Sequence, residues 1–232
     1  FHALGRNGIN VRAIAQGSSE YNISVIISKA DLSKALNAVH DAFYTQLHKT
    51  LHVFCLGTGN IGKTLFKQIA SQNDFLEQNN GIQLKVVGIS NTKKMVFDKS
   101  GLPLHEWQDT LDSSSLSANL PAFIDFMKNM NLPNCVLVDN SASHEPANFY
   151  EQIFRSNISI VTCNKIGNSA SYKQYKLLRD TARQHGVDFY YETNVGAGLP
   201  IIRTLKDLMI SGDRIITIEA ILSGTISFIF NH

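Results

Sequence analysis

"VFCLGTGNIGKTL" (residues 53–65) is an apolar run that breaks on three glycines and then resumes with helical spacing. A strand, a tight turn and a helix are expected there, and that context lifts G-x-G-x-x-G above a chance match. Gly57 would permit the turn, Gly59 would let a pyrophosphate approach the backbone, and Gly62 would let the helix close on the strand. Three glycines taken alone are as often a plain structural turn. Flanked by strand and helix, they favour a dinucleotide.

Outward from this stretch, toward the C-terminus, the pattern alternates. "LHVFCLG", "QLKVVGIS", "NCVLVDNS", "SIVTCNK" and "VDFYYET" read as strands. Residues 61–72, "LPAFIDFMKNMN", "PANFYEQIFRSN" and "SYKQYKLLRDTARQHG" read as the helices between them. Nearly continuous apolar strands alternating with helices predict an α/β fold, a Rossmann-type doubly wound parallel sheet covered on both faces. Ligands of such sheets lie at the carboxyl ends of the strands. The short serine cluster "LDSSSLSAN" is expected to be a surface loop.

Residues 1–50 follow another pattern. "NVRAIAQG" and "NISVIISK" are two β-type runs joined by "GSSEYN", and "DLSKALNAVHDAFY" carries Leu32, Ala35, Leu36, Val39 and Phe43 at helical spacing. Two strands and a helix cannot close a core alone, so this segment must pack on something else. From residue 200 the alternation fails: "LPIIRTLKDLMISG" reads as a helix ended by Gly212, and "RIITIEAILSG" and "TISFIF" as strand-like runs opening another unit. The expected division is therefore residues 1–50, 51–199 and 200–232. Phe1 is not a natural start and the chain stops at His232 inside an unfinished unit, so both ends are expected to be cut from something longer.

Composition excludes some partners. The 232 residues are 44% hydrophobic and 17% charged with net charge +2, and no block of like charge suggests a nucleic-acid or membrane surface. No apolar run approaches the about 20 residues that span a bilayer, and "FHALGRNGIN" lacks the layout of a signal peptide. A cytoplasmic protein is expected. Cys55, Cys135 and Cys163 are odd in number and far apart, as buried free thiols of a reducing compartment would be.

The strand ends carry the chemistry. An NAD site ordinarily places an acid at the end of its second strand, but "ISNTKK" has none before Asp98. Hydroxyl and amide groups of Ser90, Asn91 and Thr92 with an ammonium of Lys93 or Lys94 suit a 2′-phosphate, so NADP(H) is preferred over NAD(H). Paired lysines on a solvated loop are the bland reading. In "VDNSASHEP", the residues from Asp139 to Ser143 are small and polar, suited to ribose and nicotinamide or simply to a turn, and His144 is expected to face solvent. In "VTCNKIG", Lys165 could donate to a carbonyl oxygen as negative charge grows there, or be a surface lysine. Cys163 is a rival nucleophile, as in an acylating aldehyde dehydrogenase, although no base stands beside it. In "YETNVGAGLP", Glu192 with main-chain carbonyls suits a small cation, or the loop caps the next helix.

Together "VFCLGTGNIGKTL", "VLVDNSAS", "VTCNK", "YETNVGAGLPII" and "ILSGTISFIF" resemble homoserine dehydrogenase in order and spacing. "VRAIAQGSSEYNIS" followed by "HDAF" is similar to the end of the ACT regulatory region of bifunctional aspartokinase/homoserine dehydrogenases. The resemblance implies a partial ACT-like ββα unit, the Rossmann domain and the start of an α+β substrate or dimerisation domain. It implies NADP-linked interconversion of aspartate 4-semialdehyde and homoserine in threonine and methionine biosynthesis. Gly57, Gly59, Asn60, Ile61 and Gly62 would hold the cofactor phosphates, Ser141 the nicotinamide side, and Lys165 would stand at the reacting centre. The family's sodium site would fall on Glu192, Val195, Ala197 and Leu199, and Gln16 on the position that senses the effector, usually threonine. A homo-oligomer is expected in the parent protein.

The family's acidic substrate-binding residues and its Asp/Lys pair follow the "SGT" segment and do not occur here. The expectation is a chain that binds NADP(H) and turns over poorly or not at all. Two other readings stay open: an amino-acid-sensing assembly module built on residues 1–50, and the Cys163 aldehyde dehydrogenase.

Overall fold

The computed structural model describes residues 1–17, 22–44, 49–221 and 224–231. Its N-terminal unit comprises α1 (His2–Arg6), β1 (Ala13–Gln16), β2 (Ile23–Ile26) and α2 (Leu32–Tyr44). The central part runs β3 (Lys49–Leu56), α3 (Asn60–Asn80), β4 (Ile82–Ser90), β5 (Met95–Phe97), α4 (Trp107–Ser113), α5 (Leu120–Asn129) and β6 (Cys135–Asp139). It continues with α6 (Tyr150–Arg155), β7 (Ser159–Thr162), α7 (Ile166–Ser169), α8 (Tyr172–Gln184) and β8 (Phe189–Tyr190). α9 (Ile201–Ile210) and α10 (Gly224–Asn231) complete the chain.

The six-stranded sheet has the order β5-β4-β3-β6-β7-β8 and is parallel except for β5, which pairs antiparallel with the end of β4. β3 therefore lies centrally, with chain progress reversing direction across it, which is the doubly wound arrangement the alternation predicts. Successive residues of β3 feed opposite cores, as a period of two requires. Phe54 and Leu56 join Phe123, Met127, Leu137, Tyr150, Phe154 and Ile160 beneath α5, α6 and α8. Val53 and Cys55 join Phe66, Ile69 and Ile89 beneath α3 and α4. Burial on both faces is why these strands read as unbroken apolar runs.

In the N-terminal unit, β1 and β2 form an antiparallel pair, and Leu4, Ile9, Ala35 and Ala38 make a small separate core. It meets the sheet at the amino ends of the strands. The Asn134 amide, just before β6, donates to Asn7 Oδ1 at 3.1 Å, and Asn131 Nδ2 donates to the Ala30 carbonyl at 3.0 Å. The unit thus docks at the end of the sheet opposite the glycine turn.

Several local expectations differ. α1, α4 and β5 have too few residues to show a period, and none was anticipated. The serine cluster is tied down rather than free, since Ser114 Oγ donates to the Met95 carbonyl at 2.6 Å and Lys94 bridges to Ser117. The strand-like "RIITIEAILSG" has no regular structure through residue 221, with Ile216 92% exposed. "TISFIF" lies in α10. β-branched residues mark a strand only where a neighbouring strand supplies hydrogen bonds and side-chain contacts, and short apolar runs carry no period that separates strand from helix. Residues 18–21, 222–223 and His232, within "GSSEYN", "ILSG" and the end of the chain, lie outside the described residues.

Candidate functional site

The carboxyl ends of β3, β4, β6 and β7 converge on the glycine turn. Gly57 has φ +90°, and a Cβ built on it would lie 2.9 Å from the Asn140 carbonyl and from the Ser141 nitrogen. A Cβ on Gly62 would lie 2.3 Å from the Gly57 carbonyl oxygen, so the start of α3 touches the turn it follows. Gly59 is different: it caps α3 at its N-terminus, has no side-chain cap, and a Cβ there would meet nothing within 4 Å. The amides of the first helical turn have no intrahelical carbonyl, and the helix dipole adds positive potential. Open space before such amides fits a pyrophosphate, with Asn60 and Ile61 exposed beside it.

At the end of β4, residues 91–94 form the turn into β5. Asn91 Oδ1 accepts from the amides of Lys93 and Lys94, both at 2.7 Å, and Ser90 is buried with its hydroxyl directed at the carbonyls of Asn91 and Lys94. The Lys94 ammonium donates to the Asp112 carbonyl. Of the five groups considered for a 2′-phosphate, only Thr92 and Lys93 stay exposed. Lys93→Ala is therefore expected to weaken NADPH binding about tenfold and leave NADH nearly unchanged, with Lys94→Ala far milder, as measured by fluorescence titration.

Behind the loops lies a buried polar network. Asp139, at the end of β6 and fully buried, accepts from the Tyr150 hydroxyl at 2.5 Å, the Ser141 amide at 2.9 Å and Asn164 Nδ2 at 3.1 Å. Asn164 Nδ2 also donates to the Ser143 carbonyl at 2.8 Å, and its Oδ1 accepts from the Ile166 amide at 3.1 Å. Thr162 Oγ1 accepts from the Asn164 amide at 2.9 Å. The two loops that carry Ser141 and Lys165 are thus held as one piece. Burial first, then the charge of Asp139, pushes the Tyr150 hydroxyl well above its ordinary range.

Lys165 stands at the N-cap of α7, exposed, between Asn164 and Ile166 whose positions that network fixes. Among the described residues its ammonium has no hydrogen-bond or ion-pair partner, so it is available to a ligand. Cys163 is half-buried, and burial, with Asp139 next in weight, raises its thiol above the usual value. That suppresses the thiolate an acylating mechanism needs. Cys55 and Cys135 are buried, and burial pushes each thiol up to about 12.

Glu192 does something the sequence left open. Its two carboxylate oxygens accept from the Ile202 amide at 2.8 Å and the Arg203 amide at 2.9 Å, capping α9. Ala197 has φ +51°, within the loop that also holds Val195 and Leu199. Glu192→Ala is expected to lower stability by about 1 kcal/mol through loss of the cap, seen as a lower Tm. Gln16 lies exposed at the end of β1, paired with Ile23 and far along the chain from the strand-end loops.

Some residues of the site escaped sequence reading. Tyr150 sits in an ordinary apolar run with no motif to mark it, and Thr162 lies inside "VTCNK", where strand spacing gives no sign of its hydroxyl's role. Asn194, its amide oriented to suit its neighbours, donates to the Thr162 and Cys163 carbonyls at 3.2 and 3.3 Å and accepts from Asn168 at 2.9 Å. It ties the Glu192 loop to the Lys165 loop.

A glycine turn opening onto a helix N-terminus, with polar loops and an exposed ammonium on the same edge, is the arrangement of a dinucleotide-binding domain. Residues 57–192 match the homoserine dehydrogenase NAD-binding domain, residues 200–232 match homoserine dehydrogenase, and residues 1–43 match an ACT domain. The chain belongs to the homoserine dehydrogenase family. Over its full length it is 42% identical to the chloroplastic bifunctional aspartokinase/homoserine dehydrogenase 1 of Arabidopsis thaliana, covering 26% of that protein. It is 39% identical over 78% of its length to the homoserine dehydrogenase of Schizosaccharomyces pombe, covering 48% of it. The chain thus spans about a quarter of the length of the bifunctional relatives. Its fold matches a Candida auris protein of unknown function with TM-score 0.70 and 29% identity, over 79% of this chain and 50% of that one. It also matches a hyperthermophilic archaeal homoserine dehydrogenase mutant in complex with NADPH with TM-score 0.57 and 24% identity, over 70% of this chain and 50% of that one. No helix among the described residues is long and apolar enough to cross a membrane.

Proposed function

We propose that residues 51–199 form the NADP(H)-binding part of a homoserine dehydrogenase that interconverts aspartate 4-semialdehyde and homoserine, within a bifunctional aspartokinase/homoserine dehydrogenase of the cytoplasm. The observation that carries this reading is the open space at Gly59 before the free amides of α3, with the unpaired Lys165 on the same sheet edge. Gly57, Gly59, Asn60, Ile61 and Gly62 would hold the pyrophosphate, and Thr92 and Lys93 the 2′-phosphate. Ser141 would border the nicotinamide side. The cofactor, when bound, supplies or accepts the hydride. Lys165 orients the carbonyl oxygen and offsets the negative charge that develops on it, while the Asp139 network keeps the Lys165 loop in place.

Residues 1–50 would sense threonine through Gln16, residues 200–232 would begin the substrate and dimerisation unit, and the parent would be a homo-oligomer. A sodium ion held by Glu192 with the carbonyls of Val195, Ala197 and Leu199 is part of the same reading. Its test is a Tm higher in sodium than in potassium chloride, lost in Glu192→Ala. The main test is calorimetry of this chain with NADPH and NADH. Tighter NADPH binding, together with homoserine-dependent NADP reduction by a longer form of the protein, is the expected result. Failure to bind either nucleotide would sink the reading.

A further inference from the structure

Among the described residues, each hydrogen-bond partner of the Asp139 carboxylate is a donor: the Ser141 amide on Oδ1, and the Tyr150 hydroxyl and Asn164 amide on Oδ2. Three donors match the acceptor oxygens of a carboxylate. The group is 0% exposed, and among the described residues no lysine, arginine or histidine forms an ion pair with it. Buried charges are costly unless paired, and hydrogen bonds offset only part of that cost. The charge also reaches a group that forms no hydrogen bond with the carboxylate: after burial, it is the next cause that raises the Cys163 thiol, which the Lys165 ammonium lowers.

Asp139 ends β6 directly before the loop 140–143, beside the glycine turn, where Asn140 N–H donates to the Leu56 carbonyl at 2.8 Å. We propose that Asp139 is a specificity-determining charge, whose negative field, without an ion-pair partner among the described residues, selects the oxidised nicotinamide, a cationic ring, over the reduced one, a neutral ring. This rests on the NADP-linked reading of the same site. Because the ring gains its positive charge when it gives up hydride, the same field biases the bound cofactor toward reducing a carbonyl compound. The long-range effect is electrostatic and distinct from holding the Lys165 loop.

The test is the ratio of NADP+ to NADPH affinity on this chain, measured by calorimetry for wild type, Asp139→Asn and Tyr150→Phe. Asp139→Asn is expected to shift the ratio about tenfold against NADP+, the scale of one unit charge acting through a protein interior. Tyr150→Phe removes a donor but keeps the charge, and its ratio should stay within about twofold of wild type on the same scale. An unchanged ratio in folded Asp139→Asn, or the same shift in Tyr150→Phe, overturns the proposal. Should Asp139→Asn not fold, carbon-13 carboxyl NMR of the wild type at neutral pH provides the second test. An ionised Asp139 signal that moves more with NADP+ than with NADPH is expected; a protonated carboxyl, or equal shifts, refutes it. Wild type that binds neither form sinks the functional reading itself.

Discussion

Gly62→Ala is expected to destroy nucleotide binding and destabilise the fold, whereas Gly59→Ala should weaken binding and leave the fold standing. The difference follows from what each new methyl meets. At Gly62 it would lie 2.3 Å from the Gly57 carbonyl oxygen, a backbone atom held in turn by Gly57's own approach to Asn140 and Ser141. No side chain can swing aside, so α3 must move off the turn, at a cost of about 1–3 kcal/mol or more. The helix amides then leave the position in which they could meet a pyrophosphate. At Gly59 the methyl projects into space with nothing within 4 Å, where the ligand's phosphates would lie. A fall of several degrees in Tm is expected for Gly62→Ala and a change near zero for Gly59→Ala, with NADPH affinity at least tenfold weaker in both. A Gly59→Ala chain that binds NADPH like wild type would show that the phosphates lie elsewhere.

Lys165→Met should lower kcat by about a hundredfold to ten-thousandfold, the range for a positioned acid or charge-stabilising group, with little change in NADPH affinity. Its ammonium is exposed and has no hydrogen-bond or ion-pair partner among the described residues, so the substitution strands no buried partner there and no loss of stability is expected. Cys163→Ser should retain most activity, because its raised thiol holds little thiolate and its sulfur lies 3.8 Å from Asn140 Oδ1 and 3.7 Å from the Asp139 carbonyl. The reverse pattern, activity abolished in Cys163→Ser with a mild Lys165→Met, would restore the acylating aldehyde dehydrogenase reading. Both variants are measured as homoserine-dependent NADP reduction in a form of the protein that turns over.

The strand and helix alternation was legible because burial on both faces forces unbroken apolar strands, and because each covering helix is long enough to repeat its period. The glycine roles were legible for a related reason: a positive φ at Gly57 and a sub-van der Waals approach at Gly62 leave glycine as the residue that fits. β5 and α4, with three and seven residues, repeat nothing, and "TISFIF" carries apolar side chains without a period.

By itself the sequence determined the doubly wound sheet and the place of the glycine turn in it, since both depend on local spacing, while Lys165 was marked as the candidate cation by the family resemblance. Tertiary structure decided which polar groups are free to act. Lys94 is spent on the Asp112 carbonyl and Ser90 on its own turn, leaving Lys93 exposed; Glu192 is engaged by the amides of α9. It also decided that Tyr150, Thr162 and Asn164, drawn from one helix and the end of one strand, converge on Asp139 of another. Hydrogen bonds between groups distant in sequence leave no periodic trace, because each needs only one donor and one acceptor brought within about 3 Å by packing that the whole core supplies.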